Sequence, residues 1–145
     1  MAKIKIKTPK EIELIRDAGA LAAVTLLRAG EMVKPGVSTL EIDEFIGEFT
    51  KKNGGTSACL NYHGYPRYAC ISINDVVCHG IPSKDTILKD GDIVNIDITT
   101  ILSGYHGDTS AMFTVGKPSK DALELVQVTK ECLEIGIAAA AEPNA

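Results

Sequence analysis

The sequence lacks tryptophan, has only 5% aromatic residues, carries no run of like charges and has no apolar signal segment at its start. The missing signal segment removes the usual mark of a secreted chain. The missing charge blocks remove the marks of a nucleic-acid binder or a membrane-surface protein, because the net charge of −4 is dispersed. The one mild cluster, Lys3, Lys5 and Lys7, reads most simply as a solvated strand face. The four cysteines, Cys59, Cys70, Cys78 and Cys132, include no C-x-x-C pair and no dense framework, which sets aside zinc-ligand pairs and disulfide scaffolds. Reduced thiols in a cytoplasmic protein are the expectation. What remains is an ordinary globular composition, 45% hydrophobic and 23% charged in 145 residues, enough for one domain with a core.

Thr8-Pro9-Lys10-Glu11 is a capping box with proline at the first helical position. It predicts a helix with Ile12, Ile15, Ala18, Ala22 and Leu26 on its apolar side, ending before Lys34-Pro35-Gly36. A second box, Ser38-Thr39-Leu40-Glu41, predicts a helix that buries Leu40, Phe45 and Phe49 and stops near Asn53-Gly54-Gly55. Short strands are expected at 57–60, 68–73 and 76–79. Ser119 caps a last helix from about Lys120 to Ala141, with Leu125, Val128, Cys132, Ile135 and Ala139 down one side. The order contains a weak repeat. A long helix leads into Pro35-Gly36 and a second capped helix, whereas the last helix leads only into Glu142-Pro143-Asn144. That ending fits a domain terminus as well as an interrupted chain.

Between these helices, Ile93 to Leu102 is β-branched and apolar, Ser103-Gly104 supplies a turn, and Tyr105 to Val115 runs back. A two-residue turn makes Leu102 face Tyr105, Asp97 face Ser110 and Thr99 face Asp108. Asp97 and Asp108 then become diagonal neighbours on one face, roughly 7–8 Å apart at the backbone. A shift of one residue would separate them. Two ionised carboxylates on a mostly apolar sheet repel each other and are poorly solvated, and a divalent cation between them removes both costs. The spacing is equally compatible with two aspartates at the wet ends of strands that bind nothing.

Longer strings are more specific. In order, Cys59-Leu60-Asn61-Tyr62-His63-Gly64-Tyr65-Pro66, Cys70 through Pro82 with Cys78-His79-Gly80-Ile81-Pro82 at its end, Lys89 through Asp97, and Gly107-Asp108-Thr109-Ser110 resemble the type I methionine aminopeptidases. The resemblance covers the whole chain. It implies the α/β pita-bread fold, a curved antiparallel sheet with helices on its outer face. It implies that Asp97 and Asp108 are ligands to two divalent metal ions of the Co, Mn, Fe or Zn kind, one aspartate bound to a single metal and the other bridging both. It implies that His79 lines the site and acts on the substrate, and that the backbone around Asn74 and Val76 holds a monovalent cation.

The implied activity is hydrolytic removal of the N-terminal methionine from nascent polypeptides, met in the cytoplasm at the ribosome, with no nucleic-acid or membrane partner. A methionine side chain needs an apolar, polarisable slot, and Cys59, Tyr62, Tyr65 and Cys70 offer sulfur and aromatic surface of that kind. His63 and His106 read as structural or loop residues. Members of the family have a second half of comparable length that adds a histidine and two glutamates to the metals, and nothing in these residues replaces them. Residues 1–145 are therefore expected to be the N-terminal half of a single catalytic domain, inactive alone. Two other functions stay open: a non-catalytic binding module on the same half-fold, and a pita-bread peptidase that cleaves beside proline. The retained His79, Asp97 and Asp108 weigh against the first, and the segment Tyr62 to Pro66 against the second.

Overall fold

Both capping boxes form, and each opens a helix where the sequence places it. A computed structural model describes residues 4–141; Lys3 and the ending Glu142-Pro143-Asn144-Ala145 lie outside the described residues. Helix α1 spans Pro9–Gly30, with the Thr8 hydroxyl accepting from the Glu11 N–H and the Glu11 carboxylate accepting from the Thr8 N–H. Ahead of it, Lys5 and Lys7 belong to no strand; residues 4–8 have no regular structure, and Lys5 pairs with Glu11 at 3.0 Å. Helix α2 spans Thr39–Lys52 under the same reciprocal cap from Ser38 and Glu41. Its buried stripe is Thr39, Ile42, Asp43, Ile46, Gly47 and Thr50, not the expected Leu40, Phe45 and Phe49. The two phenylalanines flank that stripe, half-buried, and pack on each other with ring centroids 5.6 Å apart.

Four strands follow: β1 at Thr56–Ser57, β2 at Cys70–Ile73, β3 at Ile93–Leu102 and β4 at Tyr105–Thr114. Strand β3 is central, with β1 and β2 sharing one of its edges and β4 the other, all antiparallel. Ser103 and Gly104 both take positive φ, 52° and 81°, the twist that a two-residue hairpin turn requires. The predicted register results: Leu102 faces Tyr105, Asp97 faces Ser110 and Thr99 faces Asp108. The expected strand at 76–79 does not form. It is an exposed loop, because Asn74 and His79 adopt left-handed backbone (φ 51° and 56°) that a ladder cannot accommodate.

Alternation along β3 divides the sheet into two environments. Val94, Ile96, Ile98 and Thr100 are buried against α1 and α2, in a core shared with Leu26, Ile42, Ile46 and Ile71. Asn95, Asp97 and Thr99 point to the opposite face, against which no helix among the described residues packs. Helix α1 lies directly on β4 at Gly107, where an added Cβ would come within 2.3 Å of the Ala18 carbonyl. Only glycine allows that approach, and it fixes the strand one residue before Asp108. The last helix, α3, spans Lys120–Ala140 and starts at Ser119 as expected. None of its residues is buried, and Leu125, Val128 and Ile135 of its apolar side are exposed.

Candidate functional site

On the uncovered face, β3 presents Asp97 and β4 presents Asp108 from diagonal positions. Burial pushes the Asp97 carboxyl above the ordinary carboxylate range; the neighbouring Asp108 charge pushes the same way and His79 pulls it back. Two oxygen donors, one half-buried and raised by the other, are a donor set that fits a hard or borderline divalent ion. They fill only part of a coordination sphere. Among the described residues, no group of three or more His, Cys, Asp or Glu side chains gathers to hold a metal. His106 faces Ile101, on the same side as Asp108 but one pleat away.

The pocket candidates divide. Cys70 is the direct cross-strand partner of Asp97, so the start of β2 adjoins the carboxylates. Cys59 follows β1 beside Thr99, to which the chain is tied by the Ala58 N–H donating to the Thr99 carbonyl at 2.9 Å. The contact with the Cys59 thiol, together with burial, pushes the Cys70 thiol up, and burial raises the half-buried Tyr65 phenol as well. Cys59, Tyr65 and Cys70 thus share one half-buried apolar patch beside Asp97. Tyr62 does not join them; it is 66% exposed and stands edge-on to His63, ring centroids 4.5 Å apart. All four cysteines are free thiols.

His79 stands on the loop that Gly80 seats against β2, exposed and close enough to Asp97 to influence its carboxyl. Asn74 and Val76 line a cleft of about 490 Å³ that includes neither Asp97 nor Asp108. The Asn74 side chain is already engaged, donating to Asp92 Oδ1 at 2.8 Å and accepting from the Ile93 N–H at 3.0 Å. Asp75, Asp85 and Asp92 line the same cleft.

Sequence reasoning passed over Asp43, Ser72 and Gly80. Asp43 is fully buried on α2; its Oδ1 accepts the N–H groups of Tyr68 and Ala69, both at 2.9 Å, while Oδ2 has no partner among the described residues. An aspartate inside the apolar stripe of a helix was the available signal. Desolvation raises the Asp43 carboxyl to about 6, outweighing the two N–H groups and the nearby Arg67, with Glu44 adding to the rise. The unfolded carboxyl ionises near its ordinary 3.8, so rising pH favours the unfolded chain between about 4 and 6. Asp43→Asn should gain stability over the parent by on the order of 2 kcal/mol when the pH goes from 4 to 7. Urea unfolding of both proteins at the two pH values checks this; a difference independent of pH would refute it.

The chain matches the sequence profile of metallopeptidase family M24 over residues 13–145. The methionine aminopeptidase of Escherichia coli (strain K12) is 53% identical over 135 residues, which is 92% of this chain and 51% of that protein. The crystal structure of methionine aminopeptidase from Rickettsia prowazekii superposes with a TM-score of 0.87 at 47% identity, over 89% of this chain and 52% of that one. The solved Xaa-Pro dipeptidase from Bacillus anthracis gives 0.71 at 26% identity, over 82% and 32%. The chain spans about half the length of the curated relatives it matches.

Proposed function

Since this chain belongs to metallopeptidase family M24, we propose that it forms the N-terminal half of the single catalytic domain of a methionine aminopeptidase, which releases the N-terminal methionine of nascent polypeptides in the cytoplasm. Its antiparallel sheet with α1 and α2 on the outer face belongs to the α/β pita-bread class expected from the sequence. The observation that carries the proposal is the register in which Cys70, Asp97 and Ser110 lie in one row, with Asp108 diagonal to Asp97. That row sets Cys70 directly beside the Asp97 and Asp108 carboxylates. The 53% and 47% identity to the Escherichia coli and Rickettsia prowazekii methionine aminopeptidases, against 26% to the Xaa-Pro dipeptidase, supports methionine over an X-Pro substrate.

In this reading Asp97 and Asp108 hold divalent ions, with the remaining ligands coming from outside residues 4–141. Divalent ions held there would supply an activated water and a polarised carbonyl. Cys59, Tyr65 and Cys70 receive the methionine side chain, and Tyr62 stands at the rim. His79, exposed and close enough to Asp97 to influence its carboxyl, moves a proton at the scissile amide in this reading. The backbone at Asn74 and Val76 is the place for a monovalent cation.

Two assays test the proposal. The purified 145-residue chain supplied with Mn²⁺ should release no methionine from a Met-Ala-Ser peptide, because two carboxylates leave most of the coordination sphere to water. A chimera in which this chain replaces the matching half of the Escherichia coli relative should release it. It should also leave an Ala-Pro peptide uncut. Cleavage of Ala-Pro in preference to Met-Ala, or a folded and metal-loaded chimera without activity, would overturn the assignment.

A further inference from the structure

Tyr65 does more in this structure than present a ring. Its single hydroxyl proton is shared between the Ala69 carbonyl at 3.0 Å and the Gly80 carbonyl at 3.1 Å, bridging the start of β2 to the loop that carries His79. Both ends of the bridge are fixed independently. Ala69 is held from below by Asp43, whose Oδ1 accepts the Tyr68 and Ala69 N–H groups from inside the core. Gly80 is held on β2 by its N–H, which donates to Ser72 Oγ at 3.1 Å, and by its carbonyl, which also accepts from the Ile71 N–H at 2.9 Å. A Cβ on Gly80 would lie 2.1 Å from the Ile71 carbonyl oxygen, so the loop is seated as closely as backbone allows. Beyond it, Arg67 Nε donates to the Pro82 carbonyl at 3.0 Å.

His79 immediately precedes Gly80 and has a φ of 56°. That left-handed conformation is uncommon for a non-glycine residue, and here the residue that follows is fixed in place. The nearest constraint is the seating of Gly80, and the Tyr65 hydroxyl supplies the part that comes from outside β2. Burial raises the phenol, which keeps the hydroxyl protonated and donating.

We propose that the Tyr65 hydroxyl is a positioning group for His79, with Asp43 as the buried anchor that fixes its Ala69 acceptor. One side chain thereby lines the methionine pocket with its ring and orients the histidine with its hydroxyl. The inference rests on the reading that His79 serves the Asp97/Asp108 site, but the latch itself can be tested without activity.

Tyr65→Phe keeps the ring and removes only the bridge. In the 145-residue chain, amide exchange at Ile71 and Gly80 should accelerate about tenfold, the usual consequence of losing one structural hydrogen bond. Exchange at Val94 and Ile96 should stay unchanged, and the His79 imidazole NMR signal should shift while that of His106 does not. Asp43→Ala should reproduce the local pattern on a less stable fold. Unchanged exchange at Ile71 and Gly80 with an unmoved His79 signal in Tyr65→Phe would overturn the latch, whatever the chimera does.

In the chimera, Tyr65→Phe should lower kcat about tenfold with KM within about twofold, and by less than about twofold when His79 is already alanine. Equal losses in the two backgrounds would remove His79 from the proposal. An inactive chimera whose parent chain shows the local exchange pattern would instead count against the aminopeptidase reading and leave the latch standing.

Discussion

Replacing Asp108 by asparagine will remove divalent-ion binding from this face of the sheet while the metal-free fold becomes more stable. Asparagine keeps the size and one oxygen of the ligand but not its charge, and Asp97 alone cannot compensate. Groups that merely orient a ligand are worth about 10–100-fold in metal affinity, so a ligand carboxylate should cost at least about 100-fold. The sign reverses without metal. In the parent chain burial and the Asp108 charge together raise Asp97, so removing Asp108 relieves a repulsion that is present whenever both groups are ionised. Asp97→Asn removes the buried partner and should act the same way. Calorimetric Mn²⁺ titration of the chimera should show the loss of affinity, and melting of the 145-residue chain in EDTA should show the gain in stability. If the aspartates were solvated strand ends, neither measurement would move.

His79→Ala in the active chimera should lower kcat by about 10²-fold or more, the range of a lost general acid or base, with metal content intact. The histidine stands on a loop outside the strands that carry Asp97 and Asp108, so truncating it leaves both carboxylates where they are. Metal lost together with activity would instead make His79 a ligand. The pair of measurements therefore separates a group that acts on substrate from one that holds the ion.

Local physics made much of this legible in the sequence. The capping boxes at Thr8 and Ser38 satisfy their own helix ends, and Ser103-Gly104 fixes the hairpin register through its two positive φ angles. From that register the Asp97/Asp108 diagonal follows without further information. Long-range pairing was not legible in this way. Cys59 and Cys70 meet because β1 and β2 share one edge of β3, which no local pattern announces. In α2 the large side chains of Phe45 and Phe49 suggested the wrong face; the stripe that packs on the sheet runs through Ile42 and Ile46 and conceals Asp43. The residues Val76 to His79 have strand-like composition, but the left-handed turns at Asn74 and His79 lift them off the ladder. Those turns depend on tertiary bonds, Asn74 to Asp92 and Gly80 to Ser72, that become visible only once the sheet is assembled.

In the proposed function a divalent ion binds between β3 and β4 on the face away from α1 and α2. Manganese added to the ¹⁵N-labelled 145-residue chain reports that location through paramagnetic broadening. The account predicts that the amides of Ile96, Asp97 and Ile98 on β3 and of Gly107, Asp108 and Thr109 on β4 fade first, with Cys70 close behind, and that Asp108→Asn abolishes the effect. Broadening that centres on Asp75, Asp85 and Asp92 beside the Asn74 cleft, or that persists unchanged in Asp108→Asn, would contradict it.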